Sequence, residues 1–139
     1  MIVYVTVRSH FNAGHRLHSP ALSDAENRRL YGKCNHPSGH GHNYVVELTL
    51  RGEVDPAIGA FVNAEGMRSW LWGEVLEHID HRNLNTDVAF MKGIIPTSEN
   101  LARVIFDEVR KGEYGKWLYE VRLFESENNI ASCRVAELS

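Results

Sequence analysis

The sequence predicts an α+β domain built on an antiparallel sheet, and three observations carry that expectation. Segments with strand character lie in pairs towards both ends of the chain, and two segments with helical periodicity lie between them. The resulting order β, β, α, α, β, β lacks the alternation of a parallel sheet. The 139 residues suit a single domain, taken as 1–139, with its own hydrophobic core.

The first strand is expected over residues 2–8, "IVYVTVR", which are rich in β-branched side chains. The second is expected over 42–51, "HNYVVELTLR", where Tyr44, Val46, Leu48 and Leu50 share one face. Between them, residues 19–39 are polar and interrupted by Pro and Gly, so they read as a long loop of the functional or mobile kind. After the turn "GEVDPAIG", Met67, Leu71, Val75 and Ile79, joined by Trp70, predict an amphipathic helix over 63–79. A second helix should start at "PTSEN", capped by Thr97 or Ser98, with Leu101, Val104, Ile105 and Val109 inward and a stop at Gly112. Two closing strands, "WLYEVRLFES" and "IASCRVAEL", are joined through "ENN" in a predicted tight hairpin.

Composition narrows the function. The hydrophobic share of 43% and charged share of 24% are those of a soluble globular protein. A net charge of −3 supplies no field that would draw the chain to nucleic acid or a membrane, and no apolar run is long enough to span one. The start, "MIVYVTVRSHF", has no signal-peptide pattern, so a cytoplasmic location is expected, with Cys34 and Cys133 as free thiols.

The sharpest signal is "KCNHPSGHGHNY", residues 33–44. His40 and His42 stand two apart at a strand start, so both rings face the same way, half of a zinc site. His15, in "FNAGHRL", is the best third ligand, and three histidines leave the fourth tetrahedral position open for chemistry. Two other readings stand beside this one: a closed structural site using Cys34, His36, His40 and His42, and ordinary loop histidines. His10, His18 and His78 suggest no role. Asp80 and His81 follow the first helix, where such a pair is commonly a cap; Asp80 can orient His81 only if the backbone leaves the helix there. In "YEVRLFE", Tyr119, Val121, Leu123 and Glu125 are expected on one face, so a carboxylate ends an apolar row, or simply an exposed strand end. Glu99 equally suits the first turn of a helix.

"YGKCNHPSGHGHNY" resembles the signature of the 6-pyruvoyltetrahydropterin synthase family, which includes 6-carboxytetrahydropterin synthases of queuosine biosynthesis. The resemblance continues in order through "FNAGHRL", "DHRNLN" (80–85), "PTSENLA" (96–102) and "FESENNIA" (124–131). It implies a T-fold, four antiparallel strands with two helices on one face, assembled as trimers that pair into hexamers. It implies Zn2+ on His15, His40 and His42, and Cys34 as catalytic base outside the metal shell. Asp80 and His81 are implied to work with a neighbouring subunit's cysteine. Glu99, within "TSEN" with Thr97 and Ser98, and Glu125 are implied to hold the pterin, a carboxylate matching its guanidine-like edge through paired hydrogen bonds.

The expected function is therefore a zinc-dependent lyase converting 7,8-dihydroneopterin triphosphate to 6-pyruvoyltetrahydropterin with release of triphosphate. The spacing of five residues, "NHPSG", between Cys34 and His40 resembles that of 6-pyruvoyl-forming members. The alternatives are a 6-carboxytetrahydropterin synthase on the same substrate and a non-catalytic zinc or pterin-binding protein. Arg8, Arg16, Arg28, Arg29 and Lys33 are available for the triphosphate, and the sequence does not choose among them.

Overall fold

The computed structural model describes residues 1–136. Its elements are β1 (Ile2–His15), α1 (Asp24–Tyr31), β2 (His40–Glu53), α2 (Ala64–Glu74), β3 (Arg82–Asn83), α3 (Ser98–Arg110), β4 (Leu118–Phe124) and β5 (Ile130–Arg134). One sheet contains all the strands in the order β3-β1-β2-β4-β5. The four long strands are antiparallel, as expected; the fifth is the two-residue β3, which runs parallel to β1 beside Ala13 and Gly14. The closing strand expected over 130–138 ends at Arg134, and its residues 137–138 lie outside the described residues.

β1 and β2 pair without interruption from Ile2 opposite Glu53 to His15 opposite His40. Strand alternation sends Val7, Phe11 and Ala13 of β1 and Tyr44, Val46, Leu48 and Leu50 of β2 to the buried face. Met67 and Leu71 of α2, and Leu101, Ile105 and Val109 of α3, are buried in the same core. Complete burial of each such aliphatic side chain is worth about 1.5–3 kcal/mol. The other face is polar, with Arg8 and Arg122 both paired to Glu47 and Arg134 paired to Glu120.

Three local features depart from the sequence reading. Residues 19–39 hold a helix, α1, and a 3-10 turn over Gly32–Asn35. The Ser23 side chain and the Glu26 side chain cap the start of α1 reciprocally. Its buried position is Asn27, whose amide binds the backbone of Ser19, Leu22 and Ser23, so no apolar stripe announces the helix. The helix expected over 63–79 ends at Glu74; Val75 leaves helical geometry and a 3-10 turn over Leu76–His78 follows. Finally, a bulge between Thr49 and Leu50 puts Leu118 rather than Tyr119 on the buried face. The Tyr119 ring meets Tyr4 on the polar side, so it does not share a face with Val121, Leu123 and Glu125.

Gly39 brings the chain into β2 against the end of β1. It has φ of 68°, and a Cβ there would stand 2.7 Å from the carbonyl oxygen of His15. Gly59 has a similar φ of 71° with open space around it. Gly59→Ala should therefore cost about 1–2 kcal/mol, the left-handed backbone penalty alone. Gly39→Ala should cost clearly more and separate His40 from His15; denaturant unfolding of the two variants measures the difference.

Candidate active site

The site lies where the buried faces of β1 and β2 change from apolar side chains to imidazoles. His15 and His40 are direct cross-strand partners, and His42 follows two residues along the same face. The Nε2 atoms converge: His15 to His40 is 3.3 Å and His40 to His42 is 2.9 Å. Two nitrogens at about 2.0–2.1 Å from one tetrahedral ion stand roughly 3.3 Å apart, so the trio is close to a metal-binding geometry.

His15 is completely buried, and its Nδ1 lies 2.8 Å from the carbonyl oxygen of Pro96. A carbonyl only accepts, so Nδ1–H donates and Nε2 is left with its lone pair towards the other two rings. Burial holds the His15 and His42 imidazoles below their ordinary pKa, with the Glu125 carboxylate opposing the shift in both. Both are therefore neutral, the ligating form, at pH 7. The donor set, convergence and tautomer all fit a divalent metal ion.

Glu125 Oε1 stands 3.7 Å from His42 Nε2 and joins the trio to a cavity of about 450 Å³. That cavity is lined by Thr97, Ser98, Glu99 and Glu125, with Leu17, Tyr31, Asn128 and Asn129. All four residues singled out for substrate binding thus meet in one place. The side chain of Thr97, rather than Ser98, caps α3 by accepting from Asn100 N–H at 3.1 Å. The Ser98 hydroxyl instead donates to the Glu99 carboxylate at 3.0 Å.

Cys34 is part-buried and free of any disulfide, as is Cys133. Its carbonyl accepts from Leu17 N–H at 2.8 Å, and the buried Asn35 amide donates to the Leu17 carbonyl, also at 2.8 Å. These bonds pin the cysteine loop to the chain two residues beyond His15. His36 lies outside the trio, with Nδ1 accepting from Ser38 N–H. The closed set of Cys34, His36, His40 and His42 is not the cluster that the fold assembles.

Asp80 and His81 form a pair, with His81 Nδ1 2.8 Å from Asp80 Oδ2. The contact between neighbours in sequence is possible because His81 has left the helix, with φ of 58°. Asn12 N–H also donates to Asp80, and this bond chiefly holds the carboxyl below its ordinary pKa. His81 borders a cavity of about 460 Å³ with His42, Gly41 and Arg82, and its side chain is 74% exposed. Among the described residues no hydrogen bond or ion pair joins Asp80 or His81 to Cys34.

Two contributors escaped the sequence reading. One is the Pro96 carbonyl, a backbone atom without a residue-type signature. The other is Tyr44, read as a core residue: its ring stacks on Phe11 at 4.9 Å, while its buried hydroxyl has no hydrogen-bond partner among the described residues. Burial raises the Tyr44 pKa, and the charges of Glu125 and Cys34 raise it further, so the phenol stays neutral beside the site.

A sequence model described as 6-pyruvoyl tetrahydropterin synthase matches residues 4–136. The human 6-pyruvoyl tetrahydrobiopterin synthase is 43% identical over 91% of this chain and 87% of its own. A putative 6-carboxy-5,6,7,8-tetrahydropterin synthase of Archaeoglobus fulgidus is 34% identical over 84% of this chain and 91% of its own. The solved 6-pyruvoyl tetrahydropterin synthase of Caenorhabditis elegans superposes with a TM-score of 0.92 at 42% identity, covering 98% of this chain and 97% of that one. Sequence and fold agree over nearly the whole length, and the chain belongs to the 6-pyruvoyl tetrahydropterin synthase family.

Proposed function

We propose that the protein is a zinc-dependent carbon–oxygen lyase that converts 7,8-dihydroneopterin triphosphate to 6-pyruvoyltetrahydropterin and releases triphosphate. The observation that carries this reading is the convergence of three Nε2 atoms beside a cavity lined by two carboxylates. Glu99 and Glu125 take the guanidine-like edge of the pterin through charge-assisted hydrogen bonds. His15, His40 and His42 hold zinc, which when bound withdraws charge from the substrate hydroxyls and makes the neighbouring C–H bonds acidic.

Cys34, as thiolate, removes and returns protons along the side chain. Asp80 accepts from His81 Nδ1–H, which leaves Nε2 of His81 to donate or accept the partner proton. Within one chain that imidazole faces outward, which suits service in a neighbour's site. The outer edge of β5 and the β1 edge, which β3 pairs only at Ala13 and Gly14, are open to pairing with other copies. The proposal therefore includes a homohexamer, a pair of trimers with shared sites, as the resemblance implies.

The rival within the same chemistry is the 6-carboxy product, supported by the Archaeoglobus relative. The five-residue spacing from Cys34 to His40 and the names of the 43%-identical relatives favour the 6-pyruvoyl product. A shift of about 1 Å in a reacting group can change a rate on the order of a hundredfold, so the length of this loop is a plausible selector.

Three experiments follow from this reading. His15→Ala should lose zinc at near-normal folding whereas Cys34→Ala keeps it, as metal analysis of the purified proteins will show; an emptied Cys34→Ala site would make the cysteine a ligand. Incubation with zinc and dihydroneopterin triphosphate should yield 6-pyruvoyltetrahydropterin by mass spectrometry with triphosphate and little acetaldehyde. Stoichiometric acetaldehyde would assign the 6-carboxy branch, and no turnover would favour a binding protein. Mixing the inactive Cys34→Ala and His81→Ala chains should restore part of the activity once subunits exchange, and absence of recovery would argue for sites within single chains.

A further inference from the structure

Among the described residues, the Tyr44 hydroxyl is the one buried side-chain polar atom without a hydrogen-bond partner. The residue is completely buried, so the hydroxyl cannot turn to solvent instead. The ring is held by its near-parallel stack on Phe11 and meets the His42 ring edge-on at 5.6 Å. A buried donor without an acceptor costs stability, and folded interiors seldom keep one without a use for it. The sheet register says what lies across from it. β2 and β4 pair as far as Val45 opposite Phe124, so the next rung sets Tyr44 against Glu125. Both side chains lie on the buried face of the sheet and flank His42, with Glu125 Oε1 3.7 Å from its Nε2.

The two groups have complementary deficits. The Glu125 side chain is only 13% exposed, and among the described residues its carboxylate accepts no hydrogen bond. A carboxylate offers about four acceptor positions, and a pterin edge donating two N–H groups leaves the others free. Burial chiefly, then the charges of Glu125 and Cys34, keep the phenol protonated and therefore a donor. We propose that Tyr44 is a positioning residue for the pterin, its hydroxyl donating to the Glu125 carboxylate from the sheet side while the ligand binds that carboxylate from the cavity. The bond fixes the plane of the carboxylate, so that both of its oxygens are aimed before the ring arrives. Cys34 is the other acceptor whose charge reaches the phenol; Glu125 faces Tyr44 across the sheet and acts on it more strongly. The inference rests on the pterin-binding role proposed above for Glu125.

The test uses the zinc-loaded protein and unsubstituted pterin, the ring without its side chain. A crystal structure of that complex should place the Tyr44 hydroxyl oxygen about 2.5–3.0 Å from a Glu125 carboxylate oxygen. A hydroxyl bonded to the Cys34 sulfur, or still without a partner, would overturn the assignment. In calorimetric titration, Tyr44→Phe should weaken pterin binding about tenfold, in the otherwise unaltered chain and in Cys34→Ala alike. Tyr114→Phe, which removes a phenol oxygen beyond the C-terminal end of α3, should leave binding unchanged. Tyr44→Phe should also raise KM for dihydroneopterin triphosphate with little change in kcat. Its zinc content should be normal and its resistance to denaturant unchanged or higher, because the oxygen removed has no partner in the free protein. A clear loss of stability would make the hydroxyl a structural group and sink the proposal. Equal pterin binding by Tyr44→Phe, with turnover intact in the unaltered chain, would overturn this inference alone. Absence of pterin binding to the unaltered protein would overturn it together with the function on which it rests.

Discussion

The hydrogen bond from His15 Nδ1 to the Pro96 carbonyl is the constraint on which the rest of the site depends. It ties the last residue of β1 to the segment that opens α3, two elements distant in sequence. The acceptor carries no proton, so the bond also selects the His15 tautomer and aims its lone pair at His40 and His42. Pro96 is followed immediately by Thr97, whose cap starts α3 and sets Glu99 at the cavity wall. One backbone carbonyl therefore registers the imidazoles and the carboxylates against each other.

The sheet supports this arrangement by changing character along its length. Over most of β1 and β2 the inner face is a close apolar surface. Near their paired ends the same alternation presents histidines. Phe11 and Tyr44, stacked with rings nearly parallel at 9°, form the last apolar layer beneath the imidazoles. A site built on the ends of long strands inherits their rigidity, which is what precise ligand placement needs.

Much of this was legible in the residues. The strand pair, both central helices and the shared face of His40 and His42 all follow from periodicity. The pairing of His15 with His40 follows from no local pattern, because register is decided across the chain. α1 escaped notice because an amide, Asn27, rather than an apolar row, occupies its buried side. Tyr119 was assigned to the wrong face because a bulge adds a residue that alternation cannot foresee. The Asp80–His81 contact depends on a left-handed backbone at a residue with no glycine to signal it. The resemblance to a known family contributed what physical reading could not: the proposed roles for Cys34, Asp80 and His81, which would involve more than one chain.

The long pairing of β1 with β2 has a consequence for how the protein reaches its native state. The two strands enclose a connection from Arg16 to Gly39, so their ends must meet across a sizeable loop before any ladder bond repays the lost freedom. A slip of one residue would turn Tyr44 and Leu48 outward and carry His40 and His42 away from His15. An ion held by all three rings would bind the native alignment and not the slipped one, and so would bias the population towards the correct pairing. Metal supply during synthesis would then act as a proofreading step for strand alignment, coupling the fidelity of folding to the acquisition of chemistry.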